Sequence, residues 1–102
     1  METAVSDNPA LHRYDVAVGD DIAGFTVYER RPGVIAFMHT EIGDEWEGRG
    51  LGSALIRGAL DDVRAKGLAV LPYCPFVRSW IERHDDYVDL VPAEARAQFR
   101  LG

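Results

Sequence analysis

The sequence predicts a small mixed α/β domain of the α+β kind: an antiparallel three-strand meander, then a helix, a parallel strand and a second helix. Three observations lead there. The chain has 102 residues, enough for one core and one domain. Its first half carries three segments rich in β-branched and aromatic residues, parted by tight turns. Its second half opens on three glycines in five residues, followed by an apolar stripe at four-residue spacing.

Residues 1–10 are polar around Asn8-Pro9 and are expected to form a flexible lead-in to a domain over 11–91. Arg13 to Val18 alternates polar and apolar, as a half-buried strand does. Gly19-Asp20-Asp21 is a turn, Ile22 to Arg30 a second strand, and Arg31-Pro32-Gly33 the next turn. Val34 to Ile42 completes the meander. Leu51, Leu55, Ala59 and Val63, with Ile56 and Leu60 beside them, form the stripe of an amphipathic helix that Lys66-Gly67 closes. Leu68 to Tyr73 is short and apolar; a strand reached through a helix lies parallel to the one before it. A second helix is expected over about Phe76 to His84, an extended segment over Tyr87 to Val91, and a short terminal helix or tail over 92–102, beginning at Pro92.

The formal net charge of −6 argues against nucleic acid, whose affinity comes largely from Lys and Arg neutralising phosphates. It suits a basic partner such as an amine, and equally a surface that is simply soluble. A single cysteine, Cys74, excludes an intramolecular disulfide, and the first nine residues lack a basic stretch followed by an apolar run. No apolar stretch approaches the length of a bilayer span. The expectation is a cytoplasmic protein with neither nucleic acid nor membrane as partner.

Strand, acidic loop, Gly48-Arg49-Gly50-Leu51-Gly52, helix: this order makes an anion site. The first amides of a helix have no internal acceptor, and the macrodipole favours negative charge there. Glycine lets the backbone approach a phosphate and adopt positive φ. Ser53 stands where a dinucleotide fingerprint needs its third glycine, and the Gly-Lys-Ser/Thr of a Walker A loop is absent. A second reading of the same glycines is a connector that permits tight helix–sheet packing.

Further motifs stand in order along the chain: His39-Thr40-Glu41-Ile42, Glu47-Gly48-Arg49-Gly50, Cys74-Pro75-Phe76-Val77 and His84-Asp85-Asp86-Tyr87. With these, residues 11–91 resemble the GNAT superfamily of acetyl-CoA-dependent N-acetyltransferases, and most closely its minimal YjdJ-type branch of about a hundred residues. Glu47 stands where the superfamily often has Gln or Arg, and the N-terminal helices of larger members have no counterpart. The resemblance implies acetyl-coenzyme A as cofactor, an unidentified amine as acceptor, and two parallel strands that splay apart. It places the pantetheine arm against main-chain groups of Ile42, Gly43 and Asp44. It places the pyrophosphate on Gly48, Arg49, Gly50, Leu51, Gly52 and Ser53. The alternative is a module that binds the cofactor without turnover.

Acetyl transfer needs a deprotonated amine and a proton for the departing thiolate. His39 and Glu41, two apart on a strand, share a face, and either can take the proton. His39 is favoured because its ordinary pKa lies near neutrality. The other reading of the two is a polar pair on a solvated face. Cys74 can accept the acetyl group or hydrogen-bond the departing sulfur; its other reading is a small buried hydrophobe. Tyr73 and Tyr87 are rival proton donors, and no metal ligands are assigned.

Overall fold

The computed structural model describes residues 2–102. A five-stranded sheet of order β1-β2-β3-β4-β5 carries two helices. The strands are β1 (Thr3–Asn8), β2 (Arg13–Val18), β3 (Asp21–Arg31), β4 (Val34–Ile42) and β5 (Ala69–Pro72), and the helices α1 (Leu51–Ala65) and α2 (Pro75–Glu82). The first four strands pair antiparallel, and β5 joins β4 in parallel through α1. Among the described residues no helix is long and apolar enough to cross a membrane.

The expected three-strand meander is present, and a fourth strand precedes it. The lead-in expected over residues 1–10 is instead β1, paired along its whole length from Thr3↔Val18 to Asn8↔Arg13. Its composition conceals it: of the residues on its inner face only Val5 is strongly apolar. Val5 packs where Gly58 of α1 leaves room, since a Cβ on Gly58 would lie 2.7 Å from Val5 Cβ. Asp7, on the same face, accepts from the Tyr28 hydroxyl and from Lys66 at 3.1 Å. Two expectations at the other end also change. Tyr87 to Val91 is not extended: Asp85–Leu90 is a 3-10 helix, whose three-residue period stacks Tyr87 and Leu90 on one buried side. The helix expected after Pro92 is a single 3-10 turn, Ala93–Ala95, followed by further turns.

One face of the sheet is covered. Leu51, Leu55, Ile56, Ala59, Leu60 and Val63 of α1 are all buried against it, each larger side chain contributing roughly 1.5–3 kcal/mol by leaving water. The sheet answers with Tyr14, Val16, Tyr28, Ile35 and Phe37. The Tyr14 hydroxyl donates to Asp62 of α1. Burial, and then that carboxylate, hold this phenol far above its usual range, so it remains a donor.

Two features of the β3–β4 pairing bear on the site. The register slips opposite Met38: Val27 pairs with His39, but Tyr28 pairs with Phe37, leaving Met38 as a bulge. Further along, Gly24 sits opposite Ile42, and a Cβ there would lie 2.5 Å from the Glu41 carbonyl oxygen and 2.4 Å from Ile42 Cδ1. Backbone cannot yield as a side chain does. Gly24→Ala is therefore expected to cost about 1–3 kcal/mol, read as a lowered Tm; an unchanged Tm would mean that β3 and β4 can part at no cost.

Candidate active site at the parting of two strands

Pairing between β4 and β5 ends at Phe37↔Pro72, with one further bond from the Cys74 amide to the Phe37 carbonyl at 2.8 Å. There Pro75 turns the chain into α2, while β4 continues to Ile42 paired only with β3. A gap between the strands follows directly from these two facts.

The glycine turn borders this gap. Gly48 and Gly50 have φ of +78° and +74°, the left-handed region where glycine is unstrained. Gly50 is the N-cap of α1, without a side-chain capping bond, and the first intrahelical amide bond runs from Ala54 to the Gly50 carbonyl at 3.1 Å. The amides of Leu51, Gly52 and Ser53 thus precede the helical ladder, and no acidic residue occupies that first turn. Ile42, Trp46, Glu47, Gly48, Gly50, Leu51, Gly52, Ser53 and Phe76 line a cleft of about 330 Å³. Phe76 lies so close to Gly52 that a Cβ there would be 2.8 Å from its ring.

The structure thus gathers most of the expected cofactor residues. Gly43 and Asp44 lie next to them, lining a separate depression of about 410 Å³ with Arg13, Phe25 and Glu41. Arg49 stacks its guanidinium over Trp46, 5.2 Å from the ring centroid. Ser53 keeps its amide free of the ladder, but its hydroxyl accepts from Trp80 Nε1 at 2.8 Å.

The three candidate catalytic residues divide between the two faces of the sheet. Tyr14, Thr26 and Thr40 are cross-strand partners, and Tyr14 reaches α1, so Thr40 is on the helix side. Val27 pairs with His39 and Phe25 with Glu41, so these two are on the bare side. His39 Nε2–H donates to Glu41 Oε2 at 2.8 Å, and both side chains are more than half exposed. Cys74 is on the helix side and only 3% exposed, its sulfur 3.3 Å from Thr40 Oγ1.

Tyr87 is tied into the core edge. Its hydroxyl donates to Asp61 at 2.7 Å and accepts from Arg57 at 3.2 Å. His84 donates to the Trp80 carbonyl at 2.6 Å and stacks on its indole at 3.8 Å, so the His84-to-Tyr87 motif braces α2 from behind. Tyr73 is 41% exposed and packs edge-on against Phe99. Thr26, Thr40 and the Trp80–Ser53 link escaped the sequence reading, because partners 14 to 34 residues apart leave no local signature.

A family model described as GCN5-related N-acetyl-transferase matches residues 13–90, from the start of β2 to the end of the 3-10 helix. None of the curated proteins matches. Over more than half its length, then, strand gap and glycine turn included, the chain belongs to the GCN5-related N-acetyltransferase family.

Proposed function

We propose that the protein is an N-acetyltransferase that binds acetyl-coenzyme A in the cleft between β4 and α1. The observation that carries this reading is the glycine turn. Its two left-handed glycines lead into three residues whose amides precede the helical ladder, and all three line a cleft beside the gap between two parallel strands. Such a donor set fits a pyrophosphate, and the cleft falls in the usual range for ligand sites. When bound, acetyl-CoA supplies the activated acetyl group. Leu51, Gly52 and Ser53 would hold the phosphates through their amides, with Arg49 as a neighbouring cation. Main-chain groups of Ile42, Gly43 and Asp44 would hold the arm. Trp46 and Phe76 would exclude water from the cleft.

An amine acceptor would approach from the bare face, where the His39–Glu41 pair takes its proton. Cys74 would work from the helix side of the same gap, as acyl acceptor or as hydrogen-bond donor to the departing sulfur. One observation favours the alternative of a binding module without turnover: the most reactive candidate, the Cys74 thiol, is buried.

Acetyl-CoA is expected to raise Tm. A ligand at about a hundred times its Kd adds about 2.7 kcal/mol to a native state it binds alone, roughly 10 °C or more for a domain of this size. No shift at millimolar acetyl-CoA would overturn the reading. Thioester consumption across a panel of amines then separates an enzyme from a binding module.

A further inference from the structure

We propose that Thr40 is a positioning residue for the Cys74 thiol, acting through a reversible two-hydroxyl relay with Thr26. The Thr40 hydroxyl lies 3.3 Å from Cys74 Sγ and 2.9 Å from Thr26 Oγ1. Thr26 is fully buried, on a face otherwise occupied by Tyr14, Tyr28 and Phe37, where valine would fill the same volume. A buried hydroxyl at an apolar position costs stability unless it is bonded, and its side-chain partner is Thr40. The three groups meet where β4 leaves β5.

Each hydroxyl has one proton to give. While Thr40 donates to Thr26, it can only accept from the sulfur, which suits a neutral thiol. When Cys74 loses its proton to water, rotation of both hydroxyls reverses the chain: Thr26 donates to Thr40 and Thr40 donates to the thiolate. The two states differ in strength, because S–H is a weak donor whereas a bond to an ion is strong. The relay therefore favours the ionised form.

The other titratable groups around Cys74 are engaged or turned away. His39 and Glu41 of β4 face the bare side and bind each other. The hydroxyls of Tyr14 and Tyr28 donate to Asp62 and Asp7. On α2, Arg78 binds the Phe99 carbonyl and Glu82. On α1, Arg57 binds Tyr87, and the turn nearest the cleft carries no charge. Tyr73, beside Cys74 in the chain, packs on Phe99.

Cys74 is the chain's one cysteine, so in protein carrying 13C-labelled cysteine a single Cβ resonance reports its ionisation without any need for reagent access. Thr40→Val is expected to raise the midpoint of that titration by about one pH unit or more, the loss of a hydrogen bond to a charged group. Thr40→Ala, which introduces no new bulk, is expected to do the same. Thr40→Ser, which keeps the hydroxyl, is expected to restore the original midpoint. An unmoved midpoint in both the valine and alanine variants would overturn the proposal, as would a serine variant shifted as far as valine. The catalytic meaning of the relay rests on the proposed role of Cys74, but this titration does not. If Cys74→Ala stays fully active while Thr40→Val moves the midpoint, the thiol route fails and the relay stands; the opposite pair of results removes the relay and leaves the route.

Discussion

Gly50→Val is expected to abolish measurable acetyl-CoA binding while leaving the chain folded. The backbone at Gly50 has φ +74°, and no heavy atom lies within 4 Å of the place a Cβ would take. The cost is thus conformational rather than steric. A left-handed residue with a side chain loses roughly 1–2 kcal/mol, and more when β-branched, out of the roughly 5–15 kcal/mol that keep a domain folded. Binding suffers twice. The turn relaxes away from the φ that aims the Leu51, Gly52 and Ser53 amides, and the new methyls occupy open space at a residue lining the cleft. Two lost charge-assisted bonds at about 1.5–3 kcal/mol each amount to at least a hundredfold in Kd. Calorimetric titration measures this directly. Asparagine tolerates positive φ, so Gly50→Asn separates strain from bulk: it is expected to keep the wild-type Tm more closely and still to bind weakly. Unchanged affinity in Gly50→Val would reduce the turn to a connector between β4 and α1.

The second large effect concerns Cys74. Cys74→Ala is expected to lower turnover by about tenfold or more, the scale on which a lost covalent or proton-donating group shows, with CoA affinity almost unchanged. The separation follows from position. Cys74 ends the β5 side of the gap and is absent from the lining of the cleft that holds the glycine turn. Folding should survive, since Thr40 keeps Thr26 as a hydrogen-bond partner and the residue lost is small. Full activity in the variant would make Cys74 a packing residue, as its 3% exposure also allows. Direct transfer would then fall to the pair on the bare face, and His39→Gln would be the variant to slow it.

Much of this was legible in the residues, for identifiable reasons. The bounds of β2 and β4 match the expected segments because tight turns at Gly19 and Gly33, both at positive φ, mark where each strand must stop or start. Helix α1 was visible because its stripe meets one continuous sheet face. The glycine turn was visible because a helix start exposes its amides whatever the rest of the fold does. By contrast, β1 hides behind a single apolar inward residue, and the 3-10 helix at Asp85–Leu90 is too short for a three-residue period to stand out. The faces of β4 were only half legible. Spacing places His39 and Glu41 together, but strict alternation from Phe37 would also have placed them with the core. The bulge at Met38 reverses the phase, and no residue type there announces it.

That bulge ties the site's chemistry to the reading frame of one strand in a way that substitutions cannot reach. A slip that seated Met38 opposite Val27 would restore unbroken alternation from Phe37. It would turn Thr40 and Ile42 outward and press the His39–Glu41 pair beneath α1, without altering any of those side chains. Loss of the Met38 codon would instead seat His39 directly after Phe37 and keep every later face as it is, so variation among descendants of this gene should tolerate both replacement and loss at position 38, a residue 39% exposed.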